Sequence, residues 1–142
     1  MDRNPLGVEK TVSDKTEGIT LRMHLWLEEN GAMYFGLGRW MLLKKIDELG
    51  SLRKAAAELG ISYRAAWGKI KATEELIGLA LVTKTGAKGH SYSLTDFSRR
   101  LLDLYGQLYR DVETFAVDRA RVIFDSEVKS FKETYEPQEE LE

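Results

Sequence analysis

Cysteine is absent from this chain of 142 residues, and proline and histidine occur only twice each. The lack of cysteine excludes a disulfide framework, thiolate zinc sites and a cysteine nucleophile. No apolar run approaches the ~20 residues that a membrane-spanning helix requires, and the polar N-terminus lacks the apolar core of a signal peptide. We therefore expect a cytoplasmic protein. Hydrophobic residues make up 43% of the chain, which is enough for the core of one domain.

Charge is distributed unevenly along the chain. Between Gly36 and Arg110 there are thirteen Lys and Arg against seven Asp and Glu, whereas the rest of the chain has eight basic and sixteen acidic residues. A basic middle is a weak pointer to a polyanionic partner such as nucleic acid. Ordinary solvated faces would produce the same uneven distribution of charge, so charge alone does not decide between a polyanionic partner and a plain surface.

The pattern of apolar residues divides the chain into three parts. Residues 1–18 have little apolar content and are expected to be a flexible N-terminal segment. Residues 19–115 carry regular periodicities and form the predicted folded domain. Residues 116–142 contain few apolar positions and many acidic ones, and we interpret them as an acidic C-terminal helix or tail.

A β-hairpin is predicted at the start of the domain. Apolar residues alternate from Ile19 to Leu27, which is the period of a strand. The pair Asn30-Gly31 suits a type I′ turn, and residues 32–35 would be the return strand. We expect Trp26 and Trp40 to lie in the core.

Helical spacing follows the hairpin in three segments, "GRWMLLKKIDEL", "SLRKAAAEL" and "SYRAAWGKIKATEELI". Two short β-prone pieces, residues 81–84 and 91–94, come next and predict a second hairpin, the wing. Thr95 is placed to cap a last helix that reaches about Phe115. The predicted fold is therefore α+β and mainly helical, a winged helix-turn-helix with an N-terminal β-hairpin and a long C-terminal dimerisation helix.

The stretch from Gly50 to Lys71 meets the demands of a helix-turn-helix. Small residues are needed where the two helices cross, and residues 55–57 are alanines. Gly60 allows a positive φ in the turn, Ile61 is an apolar plug, and Ser62 can cap the second helix. A plain helical hairpin is the alternative interpretation, but these features occurring together favour the DNA-binding motif.

Candidate DNA contacts follow from this geometry and from residue chemistry. Arg64 is the candidate for base reading, because its fork suits the O6 and N7 edge of guanine. The remaining candidates contact phosphate, base edges or, from the wing, the minor groove; they are Arg53, Ser62, Tyr63, Trp67, Lys69, Lys71, Lys84, Lys88 and His90. For Trp67, core packing against the neighbouring helix and contact with DNA both stay open.

Evidence for catalysis or metal binding is missing from the sequence. His24 and His90 have no carboxylate at ligand spacing, and "TGAKGH" lacks the strand-to-helix context of a phosphate loop. The acid pairs at residues 74–75 and 139–140 have no nucleophile or base beside them and are interpreted as solvated. We therefore predict no enzyme activity, no metal and no cofactor.

The run "GSLRKAAAELGISYRAAWGKIKATEELIGLALV", with "ISYRAAW" as its most specific part and Leu94-Thr95 before a long helix, resembles the DNA-binding domain of molybdate-responsive (ModE-type) transcriptional regulators. More distantly it is similar to LysR-type regulators. The resemblance covers residues 19–115. It implies a winged-helix DNA binder of a prokaryotic cell that dimerises through the long helix after the wing together with N-terminal elements.

The residues also support a dimer helix, because the apolar stripe after the wing is longer than one small core needs. The candidate interface residues are Leu101, Leu104, Leu108, Val112 and Phe115. Extra packing in the core of a single chain is the alternative.

Family members carry C-terminal domains that bind molybdate or tungstate, and residues 116–142 are too short and too acidic for such a domain. This argues against binding of either oxyanion by this chain. We expect a sequence-specific, homodimeric transcriptional regulator that binds double-stranded DNA; the alternative is a winged-helix protein-interaction module that binds no specific DNA.

Overall fold

The computed structural model describes residues 18–86 and 91–132, together with the backbone of residues 2–3 and 9–10. In chain order the elements are β1 (Asp2–Arg3), β2 (Glu9–Lys10), β3 (Thr20–Leu21), β4 (Trp26–Glu29), β5 (Ala32–Gly36), α1 (Leu37–Leu49), α2 (Leu52–Glu58), α3 (Tyr63–Ile77), β6 (Val82–Thr85), β7 (Ser91–Leu94), α4 (Asp96–Ile123) and β8 (Lys129–Ser130). This order confirms the predicted α+β, mainly helical winged helix-turn-helix. The chain divides into two compact units, one formed by His24–Leu108 and the other by Met1–Met23 with Tyr109–Glu142.

Strands β4 and β5 form the predicted N-terminal hairpin. They pair antiparallel, and Asn30 and Gly31 both have positive φ, 51° and 82°, as a type I′ turn requires. The strand predicted over residues 19–27 is interrupted, and β4 begins only at Trp26. The return strand β5 is short and pairs with the chain only from this residue onward.

Two tryptophans expected in the core differ in burial. Trp26 is 47% exposed, and its indole N–H donates to the Glu28 carboxylate at 2.7 Å, so the expectation of a core residue is wrong. Period-two alternation identifies faces of a strand but not which face finds a partner. Trp40 is half-buried and donates to the carbonyl of Leu102 at 3.0 Å, which fits the expectation.

The first three helices supply most of the core of the unit His24–Leu108. Each contributes one apolar face at helical spacing, with the buried residues Leu42, Leu43, Ile46, Leu52, Ala55, Ala56, Ala66, Ile70 and Thr73. Full burial of an aliphatic side chain such as Leu or Ile stabilises the fold by about 1.5–3 kcal/mol. The ring of Phe35 completes the core by meeting Tyr105 edge to face at 5.3 Å, and the Tyr105 hydroxyl donates to the carbonyl of Leu25 at 2.6 Å.

The wing is fixed beside the helices by its second strand. Strands β6 and β7 pair antiparallel in the register Val82↔Leu94 to Thr85↔Ser91. Ser91 also forms a bridge with Ser51, and the amide of Tyr92 donates to the carbonyl of Gly50 at 3.1 Å. The second strand of the wing is therefore held against the junction between α1 and α2.

Helix α4 begins as predicted and runs further than predicted. The Thr95 hydroxyl accepts a hydrogen bond from the amide of Ser98 at 3.2 Å, and Asp96 lies in the first turn, where a negative charge complements the helix dipole. The helix passes Phe115 without a break and ends at Ile123. None of the helices in the described part of the chain is both long and apolar enough to cross a membrane.

The other unit has its own small connections. Strand β3 pairs in parallel with β8, in the register Thr20↔Lys129. The Arg121 side chain donates to the carbonyl of Val128 at 2.7 Å. The guanidinium of Arg22 lies 4.5 Å from the centre of the Phe131 ring. These contacts hold the segment after α4 against the segment before β4 in sequence.

Candidate nucleic-acid interface

The turn between α2 and α3 has the predicted helix-turn-helix construction. Gly60 has φ of +72°, and the amide of Ile61 donates back to the carbonyl of Ala56 at 3.0 Å. Ala55 and Ala56 are completely or almost completely buried, so small side chains let the two helices cross closely. Ala57 is exposed and does not take part in this crossing, contrary to the sequence-based expectation.

Serine residues cap both helices. The Ser51 hydroxyl accepts from the amide of Lys54 at 3.1 Å, and the Ser62 hydroxyl accepts from the amide of Ala65 at 3.0 Å. A hydroxyl has one hydrogen to donate in addition to the lone pairs with which it accepts. Ser62 is exposed at the start of α3, so its cap still leaves one donor for a group outside the chain.

Helix α3 has one buried face and one face open to solvent. Ala66, Ile70 and Thr73 are buried. At 3.6 residues per turn, Arg64 and Lys71 lie about 20° apart around the helix axis, whereas Lys69 lies about 140° from Arg64. We call Arg64, Gly68, Lys71 and Glu75, all of them exposed, the outward stripe. The structure thus brings Arg64 and Lys71 to one face, and Lys69 lies outside the stripe although it too is exposed.

Two of the candidate cations lie over aromatic rings. The guanidinium of Arg53 lies 4.7 Å from the centre of the Tyr63 ring, and the ammonium of Lys71 lies 4.5 Å from that of Trp67. Such contacts are worth about 0.5–1 kcal/mol at exposed sites. Because both rings belong to α3, the two cations are kept close to the start and the middle of this helix.

Trp67 is half-buried and packs against the wing. Its ring centre is 5.7 Å from that of Tyr92 on β7, at an interplanar angle of 49°. Burial raises the pKa of the Tyr92 phenol above its ordinary value, and a hydrogen bond with Tyr63 raises it further. Of the two alternatives for Trp67, packing is therefore observed, but the ring partner is Tyr92 of the wing and not the neighbouring helix that was expected. Contact with DNA stays a prediction.

The wing presents one described candidate. Lys84 is exposed and stands directly opposite Tyr92 in the hairpin register. Directly opposed residues of an antiparallel pair share one face. Lys84 therefore lies on the same face of the wing as Tyr92, whose ring packs on Trp67. Lys88 and His90 lie outside the described residues.

One residue of this region was not predicted from the sequence. Glu74 was interpreted as a solvated acid, but only 12% of its side chain is exposed. One carboxylate oxygen accepts from the Lys71 ammonium at 3.1 Å, and the other accepts from the amide of Leu81 at 2.7 Å. The three-residue spacing of Lys71 and Glu74 is a signal for the ion pair. No pattern in the sequence indicates the bond to Leu81.

The predicted dimer residues of α4 divide into two groups. Leu101 is 8% exposed and packs within its own chain. Four others, at three- or four-residue spacing, have exposed side chains: Leu104, Leu108, Val112 and Phe115. Phe115 is the most open of them, at 68%. Across the described part of the chain, no three His, Asp or Glu side chains are grouped so that they could hold a metal ion.

This region is similar to the DNA-binding domains of bacterial regulators. Residues 37–99 match the model of the bacterial regulatory helix-turn-helix protein, lysR family. The chain is 36% identical over 84 residues to the transcriptional regulator ModE of Haemophilus influenzae, covering 58% of this chain and 33% of that protein. It is 37% identical over 84 residues to the molybdenum-pterin-binding protein MopB of Rhodobacter capsulatus, covering 58% and 31%.

A third relative, the DNA-binding transcriptional dual regulator ModE of Escherichia coli K12, is 40% identical over 72 residues, which cover 49% of this chain and 28% of that protein. Among solved structures, a complex of the BenM DNA-binding domain with benA site 1 DNA matches with a TM-score of 0.50 and 20% identity, covering 61% of this chain and 93% of that one. The sequence-based resemblance to a ModE-type DNA-binding domain is confirmed. The chain spans about a third of the length of the curated relatives it matches.

Proposed function

We propose that this chain, whose residues 37–99 match the model of the bacterial regulatory helix-turn-helix protein, lysR family, is a sequence-specific DNA-binding transcriptional regulator. The observation that carries the proposal is α3, a helix capped by Ser62 that turns Arg64 and Lys71 to solvent beside the wing. Relatives named as transcriptional regulators support it, as does a fold neighbour whose structure is a DNA complex. Such a protein would act in the cytoplasm of a prokaryotic cell.

The proposed contacts follow from residue chemistry and exposure. Arg64 reads a base in the major groove, because it is exposed on the outward stripe and its fork can bond a guanine edge twice. Lys71 and Arg53, already held over aromatic rings, contact phosphate, and so does Lys84 from the wing. The hydroxyls of Ser62 and Tyr63 donate to phosphate or to a base edge. Lys69 has the weakest support, because it lies away from the outward stripe.

A random pool of duplexes provides the first test of this function. Selection with the purified protein should recover one motif, and binding to it should be nanomolar and strongly salt-dependent. Arg64→Ala should cost about 1–3 kcal/mol and relax the preference for the motif, whereas Lys71→Ala should weaken all duplexes alike. Arg100→Ala is the matched control, because it removes an exposed cation from α4 and no role in DNA binding is proposed for it.

Two results would contradict the proposal. If the pool yields no motif and the chain is not retained on DNA at low salt, the winged helix is a protein-interaction module instead. If Arg64→Ala binds motif and random duplex as the unaltered chain does, the assignment of base reading to Arg64 is wrong.

We further propose that the regulator is a homodimer that uses α4. The exposed side chains of Leu104, Leu108, Val112 and Phe115 support this, because large apolar groups recurring along a helix are usually covered by a partner. Two-fold symmetry would place the two α3 helices roughly 34 Å apart on a pseudo-palindromic site. Phe115→Lys should shift the mass measured by light scattering from dimer toward monomer; an unchanged mass would remove Phe115 from the interface.

No role for molybdate or tungstate is included in the proposal. The similarity covers only 33% and 31% of the length of two of these relatives, so their names carry no oxyanion site over to this chain. Titration of the protein with tungstate should leave its tryptophan fluorescence and its DNA affinity unchanged.

A further inference from the structure

Glu74 is placed where a carboxylate can act on two elements of the interface at once. It belongs to the last turns of α3, whose C-terminal cap is Gly78 with φ of +82°. With only 12% of its side chain exposed, it faces the base of the wing rather than solvent. Both of its oxygens are used, one by the Lys71 ammonium and one by the amide of Leu81.

Leu81 is the junction at which the wing begins. Its side chain is buried, and its carbonyl accepts from the Ser98 hydroxyl at 2.5 Å and from the amide of Thr95 at 3.0 Å. Leu81, the residue before β6, is thus hydrogen-bonded to α3 through its N–H and to the start of α4 through its C=O. The bond from its N–H to Glu74 is charge-assisted, so it is about twice as strong as a neutral one.

Lys71 extends the same connection to the second strand of the wing. Its ammonium lies between the Glu74 carboxylate, at 3.1 Å, and the Trp67 ring, whose centre is 4.5 Å away. The Trp67 ring in turn packs on Tyr92 of β7. The side chain of Lys71 is nevertheless 49% exposed, so the ammonium can still be reached from outside.

We propose that Glu74 is a positioning residue that limits how strongly the outward stripe holds phosphate while it fixes the wing beside α3. The carboxylate orients Lys71 and offsets part of its positive charge, so the contact that carries no sequence information is weakened. The same carboxylate holds the wing in register with the base-reading part of α3. This inference rests on the proposed DNA-binding function and names a residue that adjusts it.

Glu74→Gln separates the charge from the hydrogen bond. The amide oxygen of Gln can still accept from Leu81, but the ion pair with Lys71 is lost. Measured by fluorescence anisotropy between 50 and 200 mM salt, affinity for a random duplex should rise several-fold. The slope of log affinity against log salt should steepen by up to about 0.9, the value of one further phosphate contact. The ratio of motif to random affinity should fall.

Glu75→Gln is the matched control. Glu75 lies one residue further on the same helix, belongs to the outward stripe, is exposed, and makes no hydrogen bond or ion pair with any described residue. Its substitution changes the net charge equally. If the two variants alter affinity and salt slope by the same amount, general charge explains the effect and the proposal is overturned.

A second background tests whether Glu74 acts through Lys71. In Lys71→Ala, adding Glu74→Gln should leave the salt slope at the value of Lys71→Ala alone, because the ammonium that it would release is gone. A further steepening in this background would mean that the carboxylate repels DNA directly, and the positioning role would be wrong.

Amide hydrogen exchange provides a readout that needs no DNA. Glu74→Ala removes the acceptor, so exchange at Leu81 should accelerate at least tenfold, while Glu74→Gln should leave it near the value of the unaltered chain. Unchanged exchange in the alanine variant would overturn the anchoring of the wing. If the unaltered chain binds no duplex at all, the proposed function fails, and the exchange result still decides the anchoring separately.

Discussion

Ser62 has two roles that substitution can separate. It caps α3 by accepting from the amide of Ala65 at 3.0 Å, and its exposed position places it where α3 would meet DNA. Ser62→Ala removes the cap and should cost about 1 kcal/mol, within a range of 0.5–2. For a cooperative unit of this size the corresponding fall in Tm is about 4–8 °C. Ser51→Ala is the matched control, because Ser51 caps α2 through the same type of bond at 3.1 Å.

Ser62→Asp should move stability and DNA binding in opposite directions. Aspartate caps as well as serine does, and its charge gains about 0.3–1 kcal/mol from the helix dipole. If a DNA phosphate approaches to ~6 Å, the repulsion is about 0.7–2.8 kcal/mol for an effective dielectric constant between 80 and 20. Affinity should therefore fall between about threefold and a hundredfold at low salt.

Calorimetry and fluorescence anisotropy on the same samples measure both effects. Ser62→Ala and Ser51→Ala should lose similar stability, and Ser62→Asp should lose none. If Ser62→Asp had the same Tm as Ser62→Ala, the side chain at this position would not act as the cap of α3. If Ser62→Asp bound DNA as tightly as the unaltered chain, the start of α3 would not lie against phosphate.

Two shorter predictions concern the stripe and the wing. Gly68 lies on the outward stripe with no atom within 4 Å of an added Cβ, so Gly68→Ala should raise the free energy of unfolding by about 0.5–1 kcal/mol; it should also weaken DNA binding, because a methyl group would stand between Arg64 and Lys71. Burial raises the pKa of Tyr92, so its phenol, followed by absorbance at 295 nm, should ionise at higher pH than a free tyrosine. Since the folded-state pKa is the higher one, the stability that this proton provides is complete below about pH 10 and is lost as pH rises through the folded-state value; Tyr92→Phe should remove this part of the pH dependence.

The helix-turn-helix could be predicted because its signals are local. Ser62 and Gly60 act on residues within four positions of themselves, through a cap and a positive φ, so the spacing in the sequence contains the geometry. The buried face of α3 follows equally from its period. The predicted dimer residues show the limit of prediction from a period, since one stripe on α4 contains both Leu101, which is buried in its own chain, and Phe115, which is open.

Two contacts at the candidate interface that the sequence did not indicate depend on where the wing returns. Trp67 and Tyr92 meet only because β7 is tied to the junction before α2 by the bridge between Ser51 and Ser91. Glu74 reaches Leu81 only because the chain turns back after α3. Neither pairing has a repeating period, so composition and spacing left Trp67 ambiguous and Glu74 misassigned to solvent.

The candidate interface combines two cations that contact aromatic rings, Arg53 and Lys71, with one arginine, Arg64, that has no such contact. Arg53 and Lys71 are held over rings before any partner arrives, so little side-chain entropy remains for them to lose on binding. Arg64 makes no hydrogen bond or ion pair with the described residues, so in the proposed complex it would have to order on the DNA, at a cost of up to about 2 kcal/mol of rotamer entropy. Only a base edge that satisfies its fork twice repays that loss. Discrimination between sequences should therefore concentrate at Arg64, while the restrained cations supply affinity that is nearly independent of sequence.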